Sequence, residues 1–143
     1  MHKDTAGNFM NIGKDYEIHH FGYATKNIEE TEKLFQLIGF IAESELIHDE
    51  ILGVSVKFYK AENSETRLEI VSPIDNANNP ISSILTKRPG LYHIGFLSND
   101  FSQTAKTLNL KSISESRPAK AFGGSHVQFF VSKDLTIIEL IAK

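Results

Sequence analysis

His20-Phe21-Gly22-Tyr23-Ala24-Thr25-Lys26-Asn27 returns 73 residues later as His93-Ile94-Gly95-Phe96-Leu97-Ser98-Asn99-Asp100. The His and Gly are identical at this offset, and Phe21/Ile94 and Tyr23/Phe96 match in character. The match runs on through Thr31/Thr104 and Lys33/Lys106. A second pair follows: Thr66-Arg67-Leu68-Glu69-Ile70-Val71 resembles Thr136-Ile137-Ile138-Glu139-Leu140-Ile141 at an offset of 70. Two ordered matches at nearly one offset point to a duplicated module.

Each half reads strand, helix, then strands, and ends on a strand that carries a glutamate. The stretch 18–25 alternates and is rich in aromatic and branched residues, as a strand requires. Asn27, with Glu30 three residues on, caps a helix that Gly39 ends. Ile28, Thr31, Leu34, Phe35 and Ile38 share its apolar face, and Glu29 and Lys33 form an i,i+4 pair. The second half repeats the device: Asp100 caps, Gln103 sits at the third position, and Phe101, Ala105 and Leu108 make the apolar face. Further strands are predicted over 40–47, 54–61, 67–72, 111–114, 127–131 and 136–141. Pro80 opens a short helix through Leu85. Residues 117–125, with Pro118, Gly123 and Gly124, read as a long mobile loop. The fold class is α+β. Two βαβββ modules, about 16–73 and 89–143, stand in pseudo-twofold arrangement around a cleft and are joined by a linker helix at about 79–88. Residues 1–15 are polar, lack the apolar core of a signal peptide, and read as a disordered leader.

The chain has 143 residues, a net charge of −3, 41% hydrophobic residues and no cysteine. One compact domain fits this length. The missing cysteine excludes a disulfide scaffold, a thiol nucleophile, a cysteine zinc site and an iron–sulfur cluster. It agrees with a cytoplasmic location. No basic patch suggests nucleic acid, and no apolar run approaches the ~20 residues of a membrane span. Six histidines and the carboxylates remain as strong ligands.

On the first strand, alternation places His20, Gly22 and Ala24 on one face and Phe21 and Tyr23 on the other. In the repeat, His93, Gly95 and Leu97 oppose Ile94 and Phe96. The large apolar face packs under the helix, so the His-bearing face points away from it. Glu69 and Glu139 likewise oppose Leu68 and Ile70, and Ile138 and Leu140. A carboxylate set among Ile137, Ile138, Leu140 and Ile141 is costly to bury without a partner. Pseudo-twofold packing therefore brings His20, Glu69, His93 and Glu139 to one site. Two imidazoles and two carboxylates suit one divalent ion of the Zn, Co, Mn, Ni or Fe type, with positions open for water or substrate. His19 belongs by alternation with Phe21 and Tyr23. His2, His48 and His126 read as surface or loop residues.

These residues carry a resemblance to the vicinal oxygen chelate superfamily, which includes glyoxalases, bleomycin resistance proteins and dioxygenases. It spans about residues 17–142. The pattern is most similar to the methylmalonyl-CoA epimerase-like branch, through Ile18-His19-His20-Phe21-Gly22-Tyr23-Ala24, Gly53-Val54-Ser55-Val56 with Phe58, Leu68-Glu69-Ile70-Val71-Ser72-Pro73, Gly90-Leu91-Tyr92-His93-Ile94-Gly95-Phe96 and Ile138-Glu139-Leu140. Tyr92 stands where that branch carries a second histidine, and Ser132-Lys133-Asp134-Leu135 replaces its Gly-rich turn. Glu50 is the nearby candidate for a second acid. The resemblance implies a metal held by His20, Glu69, His93 and Glu139, and a homodimer. It implies a metal-dependent isomerase, epimerase or lyase that abstracts a proton beside a metal-bound carbonyl. Glu139 is the first choice of base and Glu69 the second. The substrate is a small molecule with a carbonyl or vicinal oxygens, an acyl-CoA thioester among them. Arg117, Lys120, Gly123 and Gly124 are expected on a lid over the substrate. A drug-binding resistance protein and an extradiol-type dioxygenase are the alternatives.

Overall fold

The structure, a computed structural model, describes residues 15–74, 80–87 and 89–143. Ten strands form one mixed sheet with three α-helices among the described residues. In chain order these are β1 (Tyr16–Ala24), α1 (Ile28–Ile38), β2 (Phe40–Ala42), β3 (Ile47–Asp49), β4 (Val54–Ala61) and β5 (Arg67–Pro73). Then come α2 (Pro80–Lys87), β6 (Gly90–Ser98), α3 (Phe101–Thr107), β7 (Lys111–Ser112) and β8 (Arg117–Pro118). A 3-10 turn (Lys120–Phe122), β9 (His126–Val131) and β10 (Ile137–Ala142) complete the chain. The main strand order is β2-β4-β5-β1-β6-β10-β9-β7, with β3 on β4 and β8 on β9. The two βαβββ units therefore meet along their first strands, β1 and β6, which pair antiparallel. Their last strands, β5 and β10, run parallel to β1 and β6.

Alternation assigns the faces. Phe21, Tyr23, Leu68 and Ile70 pack with Ile28 and Phe35 of α1. Ile94, Phe96, Ile138 and Leu140 pack with Phe101 and Ala105 of α3. Burying each of Leu68, Ile70 and Leu140 stabilises by roughly 1.5–3 kcal/mol. The opposite face carries α2, whose Ile81 and Leu85 close over Val54, Val56 and Val71.

The repeat also explains Thr31 and Thr104. Thr31 Oγ1 donates to Thr25 Oγ1 at 2.7 Å, and Thr104 Oγ1 lies 2.8 Å from Ser98 Oγ. The Asn27 and Asp100 side chains accept from the Glu30 and Gln103 amides, so both predicted caps form. These pairs lock each helix to the end of its strand.

Several expectations need correction. The strand expected over 40–47 is two strands, because the Glu43 amide donates to the Phe58 carbonyl at 2.7 Å and the Phe58 amide to Ser44 Oγ at 3.0 Å. Leu34 and Ile38 are half-exposed, 50% and 60%, rather than core. Lys33 pairs with Glu30, one turn position nearer than Glu29. Leu110 rather than Leu108 joins the α3 core. Residues 117–125 are a paired hairpin with a 3-10 turn, not a loose loop. Asp49, buried on β3, accepts the Lys120 amide at 2.8 Å and the Leu52 amide at 3.0 Å, and this clamps the turn. The leader expected over 1–15 lies outside the described residues except for Asp15. No helix among the described residues is long and apolar enough to cross a membrane.

Candidate metal centre

Four buried side chains from the four central strands meet on the sheet face opposite α1 and α3: His20 on β1, Glu69 on β5, His93 on β6 and Glu139 on β10. The strand register makes this possible. Gly22 pairs with Glu69 on one side and His93 on the other. Gly95 pairs with Glu139 on one side and His20 on the other. A Cβ on Gly22 would lie 2.1 Å from His93 Cε1, and one on Gly95 would lie 2.2 Å from His20 Cε1. Each imidazole thus lies across the glycine of the other module. Phe58 pairs with Glu69 and Phe129 with Glu139, so an aromatic ring flanks each carboxylate.

Two bulges sharpen the geometry. The β1–β6 register skips His19 on one strand and Tyr92 on the other, the residues just before His20 and His93. A bulge re-aims the extra side chain. His19 consequently lies not with Phe21 and Tyr23, as strict alternation predicts, but edge-on to Phe58, Phe122 and His20. The Tyr92 ring stands edge-on to His93 at 4.4 Å and faces the cavity.

The two Nε2 atoms are 2.9 Å apart. Glu139 Oε1 lies 3.1 Å from His20 Nε2 and 3.2 Å from His93 Nε2. Glu69 Oε1 lies 3.3 and 3.4 Å from the same two atoms. Donors bound at about 2.1 Å to one ion, at 90–109° to each other, sit about 3.0–3.4 Å apart. The charges agree with the distances. Burial alone would depress the His20 imidazole, but Glu69 and Glu139 outweigh it and raise its pKa to about 9. The His93 imidazole moves up for the same reason. Burial alone would raise Glu69, yet His20 and His93 hold it at about 2. Glu139 is also held below the usual carboxylate range against its burial. Glu139 Oε1 is close to both rings but has no hydrogen-bond partner among the described residues. The cluster favours positive charge at its centre and leaves an acceptor unpaired there, so these residues fit a divalent cation.

The quartet lies at a cavity of about 800 Å³. Val54, Val56, Ile81, Ile84 and Phe122 give it apolar walls, and Glu69 and Glu139 reach it directly. Arg117 and Glu115 also line it. Lys120, Gly123 and Gly124 do not. They line an adjoining depression with His48, Asp49 and Glu50, and Asp49 and Ile51 border both. His48 and His126 are exposed and bind Ser55 Oγ and Ser116 Oγ.

Sequence reasoning missed the roles of His19, Tyr92, Phe58 and Phe129. The two phenylalanines carried a signal: Val56-Lys57-Phe58 returns as Val127-Gln128-Phe129 at an offset of 71. Nothing in the alternation marks the bulges.

The family profile of the Glyoxalase/Bleomycin resistance protein/Dioxygenase superfamily matches residues 19–129. The chain is 29% identical over 140 residues to the mitochondrial methylmalonyl-CoA epimerase of Dictyostelium discoideum, covering 94% of this chain and 81% of that protein. Its fold matches the methylmalonyl-CoA epimerase of Mycobacterium tuberculosis at a TM-score of 0.71 and 20% identity, over 87% of this chain and 86% of that one. A variant of the Streptomyces coelicolor methylmalonyl-CoA epimerase in complex with 2-nitronate-propionyl-CoA matches at a TM-score of 0.72 and 20% identity, over 91% and 99% of the two chains.

Proposed function

We propose that this chain, which belongs to the Glyoxalase/Bleomycin resistance protein/Dioxygenase superfamily, is a divalent-metal-dependent epimerase acting at the carbon beside a thioester carbonyl. The observation that carries the reading is the set of four buried donor atoms, all within 4.8 Å of one another, at the cavity. The similarity to methylmalonyl-CoA epimerases supports a 2-substituted acyl-CoA as substrate class.

His20 Nε2, His93 Nε2 and the carboxylates of Glu69 and Glu139 would hold the ion. When bound, the ion supplies Lewis-acid stabilisation of the charge that develops on the substrate carbonyl. The residues do the rest. A base must be ionised at working pH, and the charge of a bound cation beside the buried Glu139 would keep its carboxylate deprotonated. Its carboxylate takes the proton from C2. Glu69 occupies the related position in the other module, across the pseudo-twofold axis. Being ionised, it carries no proton of its own, so in this reading it would relay one from water to the opposite face of the planar intermediate, as inversion at C2 requires. Val54, Val56, Ile81 and Phe122 give the cavity apolar walls, whose low dielectric strengthens each of these electrostatic interactions. Arg117, exposed and lining the cavity, would meet an anionic part of the substrate in this reading. In this reading the protein works on a small molecule, and nucleic acid and membrane play no part.

The test combines elemental analysis with proton exchange. Purified protein should carry one divalent ion per chain. It should exchange the C2 proton of methylmalonyl-CoA, or of another 2-substituted acyl-CoA, for deuterium as followed by proton NMR. A stoichiometric ion with no exchange on any such thioester would overturn the epimerase and leave a binding protein of the same fold.

A further inference from the structure

We propose that His19 is a positioning residue that fixes the tautomer and ring plane of His20, an inference that rests on the metal site above. His19 is the extra residue of the β1 bulge, so its ring is turned onto the site face rather than under α1. Its Nδ1 lies 2.8 Å from His20 Nδ1, and the two rings are edge to face. His20 presents Nε2 to the centre of the quartet. An imidazole that ligates through Nε2 carries its proton on Nδ1, so His20 Nδ1–H is the donor and His19 Nδ1 the acceptor. Ligating histidines are commonly oriented in this way by an acceptor on the far nitrogen, usually a carboxylate or carbonyl. A second imidazole fills that place here.

The bulge itself is braced. Arg67 donates to both carboxylate oxygens of Glu43, at 2.6 and 3.2 Å, and reaches the His19 carbonyl with Nη1 at 3.4 Å. The adjoining Phe58 and Phe122 rings both pack edge-on against the His19 ring. The other module has no such device. Tyr92 occupies the bulge position there, and His93 Nδ1 is buried without a hydrogen-bond partner among the described residues. The orienting bond therefore acts on one of the two histidines only.

The test replaces His19 with Phe, which keeps an aromatic ring against Phe58 and Phe122 but removes the acceptor, and with Asn, whose side-chain oxygen can accept. Co(II) titration of the metal-stripped proteins gives affinity and the ligand-field spectrum, and thermal unfolding without metal gives fold integrity. His19→Phe should bind Co(II) about 10–100-fold more weakly, with a shifted spectrum and an unchanged unfolding temperature. His19→Asn should recover most of the affinity. Nitrogen NMR of labelled histidine in the zinc-loaded wild type should show the proton of His20 on Nδ1. His19→Phe binding as tightly as wild type with the same spectrum would overturn the inference and leave the metal site standing, whereas a His20 proton found on Nε2 would overturn both. If His19→Phe does not fold, the same nitrogen NMR decides through the His19 ring: its proton on Nε2 leaves Nδ1 free to accept, as the inference requires, and a proton on His19 Nδ1 would overturn it. Wild type that binds no Co(II) would overturn the metal site and this inference together.

Discussion

Each module lays a glutamate, a glycine and a phenylalanine in the same order around the centre of the sheet, and each histidine crosses into the other module's row. The two differ just outside that row. Module one has His19 and an arginine strut at its bulge; module two has Tyr92 there, with no such strut among the described residues. On the outer face, module one sets Glu32 against Lys57 and Tyr59. The same repeat positions in module two are Ala105, Gln128 and Phe130. The comparison separates two kinds of residue. Those that give clearance, such as Gly22 and Gly95, or that lock a helix to its strand, such as Thr31 and Thr104, recur because both halves need them. Those that orient one ligand or shape one wall, such as His19 and Tyr92, differ between the halves.

The largest expected effect tests whether the two glutamates are equivalent. Glu139→Gln should slow C2 proton exchange by about 10²–10⁴-fold, measured by NMR on metal-loaded protein. Glu69→Gln should slow return to one face more than the other, visible as exchange that outruns racemisation. Equal, small losses in both variants would remove these carboxylates from proton transfer. Next come the glycines. Gly22→Ala and Gly95→Ala each drive a methyl group into a buried imidazole, which cannot swing away freely. Each should destabilise the protein by about 1–3 kcal/mol, and each should weaken metal binding to a similar extent, read by unfolding and Co(II) titration. Damage from one variant alone would break the pseudo-twofold account.

Much of this was legible in the sequence because a repeat carries long-range information. The offset linked His20 to His93 and Glu69 to Glu139 before any fold was known, and alternation placed all four on the face away from the helices. The same alternation failed at His19. A bulge adds one residue to a strand without changing its composition, so period-two reasoning put that side chain under α1. The hairpin at 117–125 escapes a sequence reading for a different reason. Pro118, Gly123 and Gly124 signal a break in regular structure, but the clamp that orders it is Asp49, 71 residues away. Leu34 and Ile38 had helical periodicity yet lie beyond the reach of the sheet, since periodicity defines a stripe on a helix and not how far its partner extends.

Metal removal extends the comparison to stability. An ion at about 100-fold its dissociation constant should stabilise the fold by about 2.7 kcal/mol, and chelation should reverse this. His20→Ala and His93→Ala should each abolish the effect, because each withdraws one of the four donors. A thermal shift with metal that survives both substitutions would place the ion elsewhere.

The smallest effect lies far from the site, at Glu32, and asks whether the polar face of module one is more than decoration. Glu32 Oε2 accepts from Lys57 Nζ and, at 2.7 Å, from Tyr59 OH. The Glu32 and Lys57 side chains are 18% and 22% exposed, so solvent screens the pair only in part. The bonds from Lys57 and Tyr59 hold the Glu32 carboxyl below its ordinary pKa of 4.5. A carboxyl depressed on folding stabilises fully above its unfolded pKa, and that contribution is lost as pH falls through the folded value. Glu32→Gln should therefore cost about 1 kcal/mol at pH 7, since the amide oxygen can still accept one bond. The gap to wild type should persist down to about pH 5 and close on further acidification, as wild type takes up the proton the variant never needs. Urea unfolding of both proteins at pH 7, 5 and 3.5 measures it. A gap independent of pH would assign the cost to packing around Tyr59 rather than to charge. Module one's outer face would then work as module two's does, where Ala105 and Phe130 pack without any ion pair between them.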